Sequence, residues 1–206
     1  ESFISLGNIT TPLLPVIFSK RKVSFKLEYL SPTGSFKDRG TSVMINILAK
    51  QGVKHVVDDS SGNAGASVAA YARRAGMKAD IFVPEYASPV KQSQIAVYGA
   101  KIHPIPGPRA AAKKAALKAA TQGATLASHA YHPGFLAGQK SVAWEIWEQF
   151  DGHVPDWYVV PVGQGVHLLG AWLGFLHLKQ MGLTNKIPRM VAVQPKLLAP
   201  VKQALD

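Results

Sequence analysis

The chain alternates between short apolar runs and longer segments in which apolar residues recur every three or four positions. Short runs rich in β-branched and aromatic residues are typical of strands, and the longer periodic segments are typical of helices. Strands are predicted at residues 25–30, 55–58, 79–84, 101–105, 124–128, 157–162 and 190–194. Helices are predicted at residues 38–49, 64–75, 89–97, 109–120, 138–150 and 168–181.

This regular alternation predicts an α/β fold with mostly parallel sheets, because parallel neighbours need a crossover connection and a helix supplies it. Ligands of open parallel sheets bind outside the carboxyl ends of the strands. The loops that lead from a strand into a helix are therefore the places to look for function. Three such loops are rich in glycine and small polar residues, at residues 31–40, 58–67 and 160–170.

Composition and charge limit the candidate partners. The 206 residues include no cysteine, and the seven histidines show no ligand spacing, so no metal is expected. The formal net charge of +11 makes nucleic acid and anionic ligands candidate partners. The densest basic segment, residues 109–120, carries lysines at helical spacing without interleaved aromatic residues. That pattern favours a solvated helix face over a nucleic-acid surface.

The two ends of the sequence give expectations about location and completeness. The first residues lack the features of a signal peptide, and no apolar run is long enough to cross a bilayer. We therefore expect a soluble, cytoplasmic protein that binds no membrane. The sequence starts at Glu1 without methionine and ends in what resembles the opening of another helix, so we expect a fragment of a longer protein.

The loop at 160–170 predicts an anion site. Gly163 and Gly165 follow an apolar strand and open a helix, so the amides of the turn can converge at the positive end of the helix. The spacing matches neither the GxGxxG pattern nor the P-loop, which favours a small phosphate group over a nucleotide. An ordinary tight turn is the alternative interpretation.

The loop at 58–67 offers short polar side chains ahead of an alanine-rich helix, namely Ser60, Ser61 and Asn63. Main-chain amides at a helix start form an anion-binding nest, and Asn63 adds an amide able to bond a hydroxyl or phenolate. Capping of the helix by these side chains is the alternative interpretation.

Lys37 follows a turn built from Pro32 and Gly34 and lies in the first turn of a predicted helix. A cation there opposes the helix dipole, so one interpretation is an amine of lowered pKa that can form a Schiff base with a carbonyl. A surface lysine is the other interpretation. Asp38 complements the helix start and is placed to anchor Arg39.

Four blocks of sequence, SFKDRG, SSGNAGAS, GQKSVAWEI and PVGQGVHLLG, resemble in order and separation the fold-type II pyridoxal-phosphate enzymes of the tryptophan synthase beta superfamily, most closely the threonine synthases. The opening SLGNITTPLLP is also similar to that family, so the resemblance spans nearly the whole chain. It implies two three-layer αβα domains with mostly parallel open sheets, and a homodimer. The smaller, substrate-side domain would be residues 36–150. The larger domain, which binds the cofactor phosphate, would be residues 1–35 and 151–206 and would be incomplete at its C-terminal end.

The resemblance also implies roles for individual residues. Lys37 would carry pyridoxal 5'-phosphate as a Schiff base and shuttle protons, Phe36 would stack on the pyridine ring, and Asn63 would bond the phenolic oxygen. The residues around the substrate carboxylate would be Ser61, Gly62 and Ala64. The cofactor phosphate would be held by the amides of Gly163, Gln164, Gly165, Val166 and His167.

Three functional hypotheses follow. The first is a threonine synthase-like lyase that converts O-phosphohomoserine to threonine and phosphate, although threonine synthases usually have threonine at the position of Ala64. Their usual Asn-Pro-x-Arg-x-Glu stretch is also replaced, by His132, Phe135 and Ala137 at its Asn, Arg and Glu positions. The second hypothesis keeps Lys37 and the cofactor but takes an unphosphorylated amino acid, as serine and threonine dehydratases do. The third is a basic binding module without catalysis.

Overall fold

The structure is a computed structural model that describes residues 3–7, 10–197 and 199–204, and it confirms the α/β class. Within this part of the chain, the strands are β1 (Leu13–Phe18), β2 (Arg21–Lys26), β3 (His55–Asp58), β4 (Lys78–Pro84), β5 (Lys101–Ile105), β6 (Thr125–Leu126), β7 (Trp157–Pro161) and β8 (Arg189–Val193). The helices are α1 (Lys37–Lys50), α2 (Asn63–Arg74), α3 (Pro89–Val97), α4 (Arg109–Thr121), α5 (Pro133–Gln139), α6 (Ser141–Gln149), α7 (Val166–Gln180) and α8 (Pro200–Gln203). Over these residues, we find no helix with the length and apolar character of a membrane span.

The chain separates into two compact units. Unit 1 consists of Glu1–Pro12 and Leu27–Gly138, and unit 2 consists of Leu13–Lys26 and Gln139–Asp206. The predicted division into a smaller domain at 36–150 and a larger domain at 1–35 and 151–206 stays a prediction about the longer protein.

Unit 1 is built on a four-stranded parallel sheet with the order β5-β4-β3-β6. The chain moves from β3 through β4 to β5 in one direction, with α2 and α3 as crossovers, and α4 then carries it back past β3 to β6. Because such crossovers are right-handed, α4 lies on the face of the sheet opposite to α2 and α3. The direction reverses between β3 and β6, and ligands of open α/β sheets bind at such a reversal.

The core of unit 1 forms where α1 and α2 bury their apolar positions together with the strands. Its largest fully buried side chains include Met44, Ile45, Val56, Tyr71 and Ile81. The start of α2 lies so close to the loop after β3 that a Cβ on Gly65 would come within 2.0 Å of the Ser60 carbonyl oxygen. Glycine at this position is therefore what lets the loop pack against the helix.

Unit 2 contains the antiparallel hairpin of β1 and β2 and the parallel pair of β7 and β8. Its core is formed largely by α6 and α7, with Phe175 and Ile146 almost fully buried. Gly170 and Gly174 of α7 permit this close packing, since a Cβ on Gly170 would lie 2.2 Å from Gln139 Cβ and one on Gly174 would lie 2.4 Å from the Lys140 carbonyl oxygen.

Three elements differ from the sequence-based expectation. The predicted strand at 25–30 ends at Lys26, and Glu28–Leu30 forms a 3-10 turn. The hairpin that begins with β1 was not predicted, because its turn at Ser19 and Lys20 has positive φ angles of 47° and 64° without a glycine to signal them. The predicted helix at 138–150 corresponds to α6, because its first two positions belong to the end of α5, and α6 begins with the Ala143 amide donating to the carbonyl of Lys140.

Candidate active site

A tight turn delivers Lys37 to the first position of α1. The Gly34 amide donates to the Ser31 carbonyl at 2.8 Å, and Gly34 adopts a φ of +84°, a conformation that glycine reaches at no steric cost. The Ser35 hydroxyl oxygen lies 3.4 Å from the Lys37 amide. One hydrogen bond thus closes the turn ahead of Lys37, and a second holds the Lys37 amide itself.

Asp38 fastens this turn to two helices. Its buried carboxylate accepts the Thr33 amide at 2.7 Å, the Thr33 hydroxyl at 2.6 Å and the Ser67 hydroxyl of α2 at 2.6 Å. The expectation that Asp38 anchors Arg39 was wrong. The Arg39 guanidinium instead makes two hydrogen bonds to Glu28, at 2.7 and 2.8 Å, because that planar donor pair matches the two oxygens of a carboxylate.

The Lys37 amine lies between aromatic rings. Its Nζ is 4.8 Å from the centroid of Phe36 and 5.7 Å from that of Phe135. Burial lowers the pKa of the amine to about 8, although the negative charge of Asp58 acts in the opposite direction. Near neutral pH, Lys37 therefore has a larger uncharged fraction than an ordinary lysine, and the uncharged amine is the form that attacks a carbonyl carbon.

The loop after β3 ends at the first turn of α2. Ser61 and Gly62 are half-buried, Asn63 is exposed, and Ala64 is buried. Within the described ranges no side chain makes a capping hydrogen bond to α2, whose N-cap residue is Gly62, so these residues give no support to the interpretation of this loop as ordinary capping. Because a helix start lacks intrahelical partners for its first amides, the loop can receive an anion such as a carboxylate.

The turn after β7 forms the start of α7. Gly165 has a φ of +88°, and the first backbone bond into the helix is the Leu169 amide donating to the Gly165 carbonyl at 2.9 Å. Among the described residues, a Cβ built on Gly163 or Gly165 would meet no atom within 4 Å, so the space beside these two positions is open. An open space at the N-terminus of a 15-residue helix fits a phosphate group.

The imidazole of His167, in the first turn of α7, makes two hydrogen bonds. Gln139 Oε1 accepts a hydrogen bond from His167 Nδ1 at 3.0 Å, so Nε2 accepts the Tyr158 hydroxyl, also at 3.0 Å. His167 and Gln139 are buried. The imidazole therefore contributes to the shape of the turn, while the backbone of His167 stays at the start of the helix.

The two units thus each carry one part of the predicted site. Unit 1 holds Phe36, Lys37 and the loop with Ser61, Gly62, Asn63 and Ala64. Unit 2 holds the turn with Gly163, Gln164, Gly165, Val166 and His167. The chemistry of each part fits pyridoxal phosphate, since one offers a buried amine for an aldehyde and the other an open helix start for a phosphate. The individual roles stay predictions.

Sequence reasoning did not predict the burial of two groups in unit 1. Asp58 is the last residue of β3 and is fully buried, and His129 follows β6 and is 6% exposed. His129 Nδ1 lies 3.7 Å from Asp58 Oδ1. An aspartate that closes an apolar strand just before a glycine loop was the signal available in the sequence.

Comparison with curated proteins identifies relatives that share nearly all of this chain. It is 36% identical over 207 residues to a threonine synthase of Synechocystis sp., an alignment that covers 97% of this chain and 54% of the relative. It is 34% identical to a threonine synthase of Methanocaldococcus jannaschii, over 99% of this chain and 52% of the relative. The chain therefore spans about half the length of these relatives.

Solved structures of similar fold include two serine racemases. The maize enzyme matches with a TM-score of 0.83 at 28% identity, over 94% of this chain and 58% of the maize chain. The Dictyostelium discoideum enzyme matches with a TM-score of 0.83 at 26% identity, over 98% of this chain and 66% of the other. Residues 4–206 match the family described as "Pyridoxal-phosphate dependent enzyme". The predicted family and class of cofactor are thereby confirmed, and the chain belongs to the pyridoxal-phosphate dependent enzymes.

Proposed function

We propose that the full-length protein is a threonine synthase-like lyase that converts O-phosphohomoserine and water to threonine and phosphate. The half-buried side chain of Lys37, whose amine pKa is lowered to about 8, is the observation that carries this proposal. The identity of 34–36% to threonine synthases over almost the whole chain supports the choice of reaction.

In this proposal each part of the site has a defined task. Pyridoxal phosphate, when bound, stabilises negative charge on the substrate carbon beside the amino group. Lys37 holds the aldehyde of the cofactor and afterwards moves a proton at its Nζ. Phe36 packs on the cofactor ring and Asn63 bonds its phenolic oxygen. The substrate carboxylate is bound by Ser61, Gly62 and Ala64, and the cofactor phosphate by the amides of Gly163, Gln164, Gly165, Val166 and His167.

The first experiment tests the cofactor and its linkage. Purified full-length protein should show a visible absorbance band that borohydride removes, and peptide mapping should then find the reduced cofactor on Lys37. Lys37→Ala should lose the band and the activity. Lys50→Ala, at the exposed end of the same helix, is the matched control and should keep both. A protein without the band would contradict the proposal and favour the basic binding module, and a label on another lysine would contradict the role of Lys37.

One observation favours a second candidate, an ammonia-lyase that converts threonine to 2-oxobutanoate and ammonia. Phe135 is fully buried, and its ring lies where a Cβ on Gly40 would come within 2.7 Å. An apolar ring in this position cannot bind a substrate phosphate as a guanidinium would. Release of phosphate from O-phosphohomoserine, measured beside release of 2-oxobutanoate from threonine, separates the two. Formation of 2-oxobutanoate alone would select the second.

The remaining partner predictions belong to the same proposal. We expect a homodimer located in the cytoplasm, acting on a small amino acid and binding no nucleic acid. Light scattering of the full-length protein should give twice the mass of one chain, and a monomer would contradict the dimer.

A further inference from the structure

Asp58 and His129 form a buried polar pair at the carboxyl edge of the unit 1 sheet. Neither carboxylate oxygen of Asp58 reaches solvent, and among the residues that the structure describes neither has a hydrogen-bond partner. His129 Nδ1 is likewise buried without a hydrogen bond, and it lies 3.7 Å from Asp58 Oδ1. A carboxylate in such surroundings costs several kcal/mol unless its charge is balanced, as a rule of order of magnitude.

The position of the pair follows from the strand order. Asp58 ends β3, and the chain beyond β6 stays beside it, because the Ala127 amide donates to the Val57 carbonyl at 2.8 Å. His129 follows two residues later. The pair therefore lies where the strand order reverses, at the same edge as the loop of Ser61 and Asn63.

Phe135 connects the pair to the Lys37 amine. Its ring meets the His129 ring edge-on at a centroid distance of 6.1 Å, and Lys37 Nζ lies 5.7 Å from the same ring. The negative charge of Asp58 raises the pKa of the Lys37 amine, against the larger effect of burial. Water screens such an interaction less in a protein interior than at the surface.

The other charged and titratable groups at the start of α1 and in the segment after β6 have partners of their own. Asp38 bonds Thr33 and Ser67, and Arg39 pairs with Glu28. Burial lowers the pKa of His132, whose Nδ1 accepts the Gly134 amide at 3.1 Å. Asp58 is accordingly the anion that acts on the amine.

Because the oxygens of Asp58 are closed to solvent, a solute cannot bind them directly, and their effect is transmitted through the electric field. We propose that Asp58, with His129 beside it, is a positioning residue that holds the proton on Lys37 Nζ. The use of this proton in catalysis rests on the proposed function, but the effect on the amine is a property of the chain alone.

The test measures the amine directly. Full-length protein is freed of cofactor with hydroxylamine and dialysis, and is labelled with a trace of acetic anhydride between about pH 6 and pH 10. Mass spectrometry of the Lys37 peptide gives the midpoint of its reactivity. In the parent protein we expect the midpoint near 8. Asp58→Asn should lower it and raise labelling at neutral pH by about threefold or more, because the anion that favours the ammonium is gone.

Two variants serve as controls. Asp59→Asn removes the same charge from the adjacent, half-buried residue, whose charge acts on Lys113, and should leave the midpoint unchanged. Asp58→Glu keeps the charge and should restore the parental midpoint. If Asp58→Asn does not fold, Asp58→Ser removes the same charge and carries the same expectation.

An unchanged midpoint in the charge-removing variants, or an equal shift in Asp59→Asn, would overturn the inference. The result is also independent of the proposed function. A shifted midpoint in a protein that binds no pyridoxal phosphate leaves the inference standing and removes the function. Cofactor binding without a shifted midpoint removes the inference and leaves the proposed function standing.

Discussion

Two aspartates stand on opposite faces of the same parallel sheet and meet opposite conditions. Asp58 of β3 pairs in register with Ile81 of β4, and Val57 of β3 pairs with Asp80 of β4. The two aspartates are therefore on adjacent strands and one residue apart in register. Because successive side chains point to opposite faces, Asp80 shares its face with His55 and His103, and Asp58 does not.

The two carboxylates differ in their hydrogen-bond partners. Asp80 has His55 Nε2 at 2.5 Å, His103 Nε2 at 2.9 Å and Lys78 Nζ at 3.1 Å, whereas the oxygens of Asp58 have no hydrogen bond within the described part of the chain. Burial raises the pKa of Asp80, but the hydrogen bonds from these three side chains outweigh it and lower the pKa to about 2. Asp80 therefore contributes to stability, and Asp58 lowers stability while it acts on Lys37.

The largest expected difference is in folding stability. Asp80→Ala should lower the free energy of unfolding of unit 1 by about 2–3 kcal/mol, because two imidazoles and an ammonium lose their common acceptor. Asp58→Asn should leave it unchanged or raise it by up to about 1 kcal/mol, because it removes a buried charge that makes no hydrogen bond. Equal losses in both variants would remove the distinction between the two faces.

The measurement has to report unit 1 alone. All four tryptophans, Trp144, Trp147, Trp157 and Trp172, lie in unit 2, so their fluorescence follows the other unit. Hydrogen exchange of peptides from β3, β4 and β5, read by mass spectrometry, gives the opening free energy of the sheet itself.

The next largest effect is a dependence of stability on acid. The pKa of Asp80 is about 2 in the folded chain and 3.8 ordinarily, so its contribution is complete above about pH 4 and is lost as the pH falls toward about 2. The loss should be about 2 kcal/mol. Hydrogen exchange of the same β3, β4 and β5 peptides, measured at a series of pH values, should show it in the parent protein and much less of it in Asp80→Asn. Parallel acid curves for the two would contradict the assignment.

How much of this was available from the sequence depends on whether the partners are local. Strands β3 and β5 have the predicted bounds, and α3 does too, because each run of apolar residues is closed by local turn signals. The position of Lys37 at the start of a helix could also be predicted from its neighbours in the sequence. The partners of Asp38 and Arg39 could not, since Ser67 and Glu28 come from other elements and are brought there by tertiary packing. The burial of Asp58 depends on the chain beyond β6, some seventy residues away, which no local pattern encodes.

A smaller effect is expected when a single hydrogen bond to Asp80 is removed. His103 stacks on Phe82 with ring centroids 4.7 Å apart, so His103→Phe keeps the stacking and removes the bond to Asp80. The loss should be about 1 kcal/mol. The loss caused by His103→Phe should be smaller in the Asp80→Asn background and unchanged in the Asp58→Asn background, because of the two aspartates only Asp80 is in contact with His103. A double-mutant cycle by hydrogen exchange measures both couplings.

The smallest effect is expected for Lys78, the third partner of Asp80. Its side chain is 62% exposed and its Nζ lies 3.1 Å from Asp80 Oδ2, so water and salt screen the attraction. Lys78→Met should change the free energy of unfolding by less than about 0.5 kcal/mol, with hydrogen exchange as the measure. A loss as large as that of His103→Phe would mean that the ammonium balances Asp80 as effectively as an imidazole. The two faces of the sheet would then differ in their surface lysine as well as in their histidines.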